Sequence, residues 1–177
     1  MADIPAGKWV IDPVHSSVGF EVKHLGVSTY RGSFPGVEGT IETTDGAITR
    51  VEGTAKIESL TTQDVQLTGH LMSPDFFDQA NHPTGTFAST SIQSDGNGKL
   101  KVVGNLTLRG VTQPVELEGE LGGVGPDPYG NTRIGISASG FINRTTFGLN
   151  WNVPLGDSVV AVGEKVKLVW NAEGIKQ

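Results

Sequence analysis

The 177-residue chain carries four histidines, His15, His24, His70 and His82, and no cysteine. The missing cysteines remove disulfides, thiolate metal sites, iron–sulfur clusters and cysteine nucleophiles together. No two histidines stand four residues apart, as two ligands on one helix face would, and their spacings fit no common metal motif. Neither a metal nor another cofactor is expected. The chain has no Gly-x-Ser-x-Gly elbow and no phosphate loop, and the glycine-rich stretch 122–130 holds Pro126 and Pro128 and reads as a loop. His24 or His70 would be the acid–base group of an enzyme. With no nucleophile paired to either, binding without catalysis is the leading expectation.

Thirteen Lys and Arg stand against nineteen Asp and Glu, a formal charge of −6. That balance argues against nucleic acid and anionic membrane surfaces, both of which call for clustered positive charge. No apolar run of about eighteen residues occurs, so no membrane-spanning helix is expected. The opening residues show neither a basic nor an apolar leader region, which gives a cytoplasmic expectation, or a periplasmic or secreted one if the sequence was trimmed.

The elements that must position any site are strands. Apolar and polar residues alternate with period two over residues 18–24, 37–43, 51–57, 100–108, 115–121, 134–142 and 166–172. Weaker strands near Trp9, Tyr30 and Phe87 bring the count to eight to ten. Each has one polar face, so the sheet is antiparallel. Asp45-Gly46, the run 95–98, and Gly110 to Pro114 mark tight turns. Alternation lapses over about 59–83, where Thr62 and Ser73-Pro74 are candidate starts of short helices. The expectation is one all-β domain over 1–177, with a helical insertion at about 59–83.

An antiparallel sheet of this size folds over its apolar face as a sandwich or a barrel. Gly39, Gly53, Gly104, Gly119 and Gly140 lie mid-strand on that face. Glycine there serves strand curvature, lumen space, or both, and either favours a closed barrel. A hollow lined by aliphatic and aromatic side chains implies an elongated apolar guest. Parity nominates Val18, Phe20, Val22, His24, Ile41, Ala55, Phe87, Leu106, Ala138, Ile142, Leu168 and Trp170 as its walls. His24 is read either as a core histidine bonded to backbone or as a polar anchor for a head group, and Arg31 either joins it there or is a surface charge. Phe76 and Phe77 either dock the insertion or form a lid, and Arg144 with Phe147 suits either a barrel rim or a surface loop.

Seven segments in order carry a resemblance. The first is Trp9-Val10-Ile11-Asp12-Pro13-Val14-His15-Ser16 followed by Val18 to His24, the next two Arg31-Gly32-Ser33-Phe34 and His70 to Asp78. His82 to Phe87, Gly104 to Thr112, Ile142 to Gly148 and Gly163 to Val166 continue it. Together they resemble the YceI-like family. The resemblance implies an extended, eight-stranded, antiparallel, lipocalin-like barrel holding a polyisoprenoid or fatty-acid-derived chain for carriage, storage or transport. It also implies a homodimer. The competing expectations are an enzyme acting on a lipid-like substrate and a structural or stress-response barrel with a solid core.

Overall fold

The computed structural model describes residues 4–44, 46–156 and 159–177. Ten strands are present: β1 (Gly7–Ile11), β2 (Ser17–His24), β3 (Ser28–Phe34), β4 (Val37–Thr44), β5 (Ala47–Lys56), β6 (Thr84–Ser94), β7 (Lys99–Leu108), β8 (Val111–Pro126), β9 (Thr132–Asn143) and β10 (Val162–Lys176). β4 to β10 pair in sequence order, and β1 bridges β4 and β10. These eight strands close an antiparallel barrel, the closure expected from the inward glycines and the strand number implied by the family resemblance.

The long strand β10 makes this closure possible. Its C-terminal end pairs with β1 and the rest of the same edge with β2, so β1 and β2 follow one another along one neighbour. The β2–β3 hairpin thus extends the wall beyond β1. The outer edge of β3 is met by the insertion, where Ser33 and Thr61 exchange backbone hydrogen bonds of 3.0 and 2.8 Å. Register shifts in β4–β5, β6–β7, β8–β9 and β2–β10 mark the irregularities that let strands bend around a barrel.

The insertion differs in detail from the sequence expectation. A 3-10 turn (Ile57–Ser59) leads to one helix, α1 (Val65–Met72). Asp64, rather than Thr62, caps it by accepting from the Leu67 N–H at 2.8 Å. Thr62 instead shares a 2.7 Å hydroxyl bond with Thr68. Ser73 closes α1 and starts no second helix. Its hydroxyl donates to the His70 carbonyl, and Asp78 at φ 51° stops helical continuation after the Pro74–Phe77 turns. The stretch 122–130 is also less loop than expected, since β8 runs to Pro126 and only the turn beyond it is irregular. The Asp45-Gly46 turn falls partly outside the described residues, with Gly46 at φ 83° on its described side.

The two halves of the barrel are packed differently. In the half that contains β1, Trp9, Ile41 and Ile134 are all less than 2 % exposed. A Cβ on Gly174 would stand 3.1–3.3 Å from Trp9, Ile134 and Ile41, so this glycine gives the three side chains room to meet. That half is solid. In the other half the insertion and the segment after β9 cap a space that side chains leave open.

Candidate functional site

That space is a cavity of about 180 Å³. One ordered water needs only about 10–15 Å³, so the volume suits a larger guest. Eleven of the fifteen side chains expected from the sequence border it: Val18, Phe20, Val22, Ala55, Phe76, Phe77, Phe87, Leu106, Ile142, Leu168 and Trp170. Period-two alternation puts the strand residues there, while Phe76 and Phe77 reach it from the insertion. The rings are ordered by edge contacts. Phe87 meets Trp170 at 4.5 Å and 78°, and Phe34 meets Phe77 at 5.4 Å and 89°. The Trp170 indole N–H is buried with no hydrogen-bond partner among the described residues.

Four expected residues lie outside the cavity. His24 is exposed, because β2 overshoots the barrel and turns at Leu25 (φ 53°) and Gly26 (φ 71°). Arg31 is opposite Glu21 on the outer face, where its Nε donates to that carboxylate at 2.9 Å. Ile41 belongs to the solid half. Ala138, paired with Gly119 and Trp170, packs in the sheet where a Cβ on Gly119 would lie 3.3 Å from it. Period two identifies the inner face of a strand but not the height along the barrel at which that face becomes filled or ends.

The glycines also answer differently from the simple choice of curvature or lumen space. A Cβ on Gly104 would stand 2.3 Å from the Phe87 ring, and one on Gly32 would stand 2.5 Å from the Phe20 ring. These glycines are seats for cavity-wall aromatics. A Cβ on Gly140 would stand 2.4 Å from the Glu116 carbonyl, so there the constraint is close approach of strands.

Two wall residues had no signal in the alternation: Leu71 enters from α1, and Leu149 from the segment after the 3-10 turn Arg144–Phe147. Ile57, which ends the alternation of 51–57, reaches the wall from the turn before α1. Arg109, at φ 49°, donates from Nη1 to the carbonyls of Pro74 and Phe76 at 2.6 and 2.7 Å, fixing the turn that carries Phe76 and Phe77. His70 is outside the cavity, edge-on to Phe76 and Trp151 at 5.1 and 4.7 Å, with Nε2 3.0 Å from Asp75.

Arg144 is the basic residue that borders the cavity among the described residues, and it is 4 % exposed. Its Nε donates to Gly163, its Nη1 to Leu149 and Trp151, and its Nη2 to Val162, all through backbone carbonyls. The guanidinium therefore holds together both ends of the 149–163 segment. Asn152 reinforces this closure by donating to the Val162 carbonyl and accepting from the Val162 N–H.

A second polar cluster is on the barrel exterior. Asp12, His15 and Glu173 bring one ligand atom each within 4.8 Å of one another. Arg133 Nη1 donates to both Asp12 and Glu173, while its Nε donates to Asp127 at 2.8 Å. The guanidinium already supplies the positive charge that a cation would bring. The cluster is a fastening between the β1–β2 corner, the β8–β9 turn and β10.

Hydrogen bonds from His15 and Arg133 hold the Asp12 carboxyl at about 2, below its ordinary 3.8. Asn131 and Arg133 hold Asp127 far below the usual carboxylate range. A carboxyl depressed in the folded state contributes stability above its unfolded pKa and loses it as pH falls through the folded one. Stability is therefore expected to fall between about pH 4 and pH 2. Asp12→Asn should lower stability at neutral pH and flatten part of that acid slope, measured by denaturant melts at each pH. An unchanged slope would remove Asp12 from the account.

Comparison with known proteins agrees with this architecture. Residues 9–174 match the YceI-like domain. The chain is 38 % identical over 165 residues to Protein YceI of Escherichia coli O157:H7, covering 92 % of this chain and 83 % of that protein. A solved YceI protein from Campylobacter jejuni superposes with a TM-score of 0.75 at 28 % identity, covering 88 % of this chain and 90 % of the other. Burkholderia cenocepacia BcnA shares the fold at TM-score 0.78 and 20 % identity, over 92 % and 98 % of the two chains. A polyisoprenoid binding domain from Saccharophagus degradans, implicated in plant cell wall breakdown, gives 0.72 at 14 % identity, over 97 % and 99 %. With its barrel, its motifs in register and its match over nearly the whole sequence, the chain belongs to the YceI-like family.

Proposed function

We propose that this barrel binds a long apolar chain, a polyisoprenoid or a fatty-acid-derived lipid, in its half-hollow lumen, for carriage or storage rather than catalysis. The observation that carries the reading is the cavity itself. Aliphatic and aromatic walls from β2, β5, β6, β7, β9, β10 and the insertion converge on one space. Such walls gain free energy by removing methylenes from water, at roughly 0.8 kcal/mol for each one buried. The Saccharophagus degradans domain of the same fold, described as polyisoprenoid binding, supports the same class of guest. A barrel with a solid core describes only the half built around Trp9. The acid–base role considered for His24 or His70 gains no support, because neither side chain borders the cavity.

Organic extraction of freshly purified protein followed by mass spectrometry tests the proposal. The expected result is a long-chain lipid released in near-stoichiometric amount. Protein that carries no such lipid and takes up none from a series of prenols and fatty acids would overturn it.

A further inference from the structure

We propose that this barrel docks on a neutral lipid bilayer through an apolar arm that carries Val153, Leu155, Val159 and Val160, with Val27 beside it. The inference rests on the chain-binding reading above and names the surface from which the chain is taken. Among the described residues ten large apolar side chains are exposed, and these five are half of them. Val27 is 82 % exposed, and the other four are 41–47 % exposed. Scattered apolar residues are ordinary on a protein surface, whereas a cluster marks an interaction site.

Backbone hydrogen bonds bring the five together. The Leu25 N–H donates to the Ala161 carbonyl at 3.0 Å, which joins the β2–β3 turn to one limb of the arm. The Ala161 N–H donates to the Val153 carbonyl at 3.0 Å, and the Leu155 N–H to the Val159 carbonyl at 2.8 Å, which join the two limbs. Pro154 pairs with Val160 and has no N–H to satisfy. Backbone groups paired within the arm do not depend on water, as a segment entering the apolar edge of a bilayer requires. Arg144 and Asn152 fasten the base of the arm to the start of β10, so it is braced against the barrel.

Charge and size select the occupant. The chain carries a formal −6, yet residues 149–163 contain a single charged residue, Asp157, and residues 24–28 contain none besides the titratable His24. An uncharged face on an acidic protein fits zwitterionic lipid and gains nothing from an anionic surface. A second copy of the chain would need about 800 Å² on each side for a stable interface, far more than five side chains supply when four are less than half exposed. A bilayer asks for apolar area without a complementary shape. Position agrees with this partner. Leu149 and Val162, at the two ends of the segment that forms the arm, border the cavity. The apolar surface and the chain site are two sides of one segment, and a chain passing between lipid and lumen there is kept from water.

The test is flotation with vesicles of phosphatidylcholine alone and of phosphatidylcholine with phosphatidylglycerol. The unmodified protein is expected to float with phosphatidylcholine, as well in high salt as in low, and to gain nothing from phosphatidylglycerol. Leu155→Glu and Val27→Glu should each lower the partition coefficient about tenfold while N-phenyl-1-naphthylamine binds in the cavity within about twofold of the unmodified protein. Both positions are exposed, and a melting transition checks that the variants fold; if either does not, the unmodified protein on the two vesicle types still decides. Absence of flotation, flotation that needs phosphatidylglycerol or is lost in salt, or variants that float as well as the unmodified protein would overturn the inference. So would a dimer, seen by light scattering, that Leu155→Glu dissociates with flotation unchanged. Protein that floats yet takes up neither N-phenyl-1-naphthylamine nor prenols supports the docking surface and overturns the chain-binding reading; protein that takes them up yet does not float does the reverse.

Discussion

Shortening a bound polyprenyl chain by two isoprene units is expected to weaken binding by at least about a hundredfold. The removed ten carbons would forfeit up to about 8 kcal/mol of gross apolar burial. Part of that gross figure is offset by the smaller ordering cost of a shorter chain, which leaves several kcal/mol. By contrast, a head-group hydrogen bond contributes about 0.5–1.5 kcal/mol if neutral, and about 1.5–3 kcal/mol if charged. Chain length therefore dominates affinity, and the head group tunes it. His24→Gln should change nothing, because His24 is exposed beyond the barrel. Titration of a prenol series should show affinity climbing with length, then levelling off once the cavity is filled. A flat series would mean that the walls around Trp170 and Phe87 take up no chain.

Trp9→Ala is expected to produce the largest loss of stability of any single substitution in the solid half. Trp9 is 0 % exposed, and its indole N–H donates to the Thr43 hydroxyl at 2.9 Å. Truncating a buried tryptophan costs about 3–5 kcal/mol through lost burial and the void left behind. For a chain of this size that corresponds to a fall of about 6–20 °C in melting temperature. Thr43 would not be stranded, since its hydroxyl also donates to the Pro5 carbonyl at 2.7 Å. The cavity begins beyond this packed layer, so folded Trp9→Ala protein should bind chains within about threefold of the unmodified protein, a change below ~1 kcal/mol. A loss of binding as large as the loss of stability would show that the two halves are not independent.

The contrast between Ile41 and Leu168 shows where sequence reading stops. Both lie on the inner face of their strands, and both are buried. Ile41 meets Trp9 and Gly174 in the solid half, while Leu168 borders the cavity. Strand parity decides inside from outside because side chains alternate every residue. It holds no information on which inner residues, brought together from strands far apart in sequence, fill the space between them.

What the sequence by itself determined is the antiparallel strand set, its inner face, the site of the insertion and the family. Alternation and turn chemistry are local, and the motifs are read directly from residue types. The tertiary structure decided the rest. It placed Phe87 over Gly104 and Phe20 over Gly32, set β1 and β2 end to end along β10, and left His24 outside. It also brought Arg144 under the carbonyls of Leu149, Trp151, Val162 and Gly163, burying one positive charge beside an apolar space. These outcomes depend on barrel closure, which fixes the height of each residue and the distance between strands that no local pattern relates.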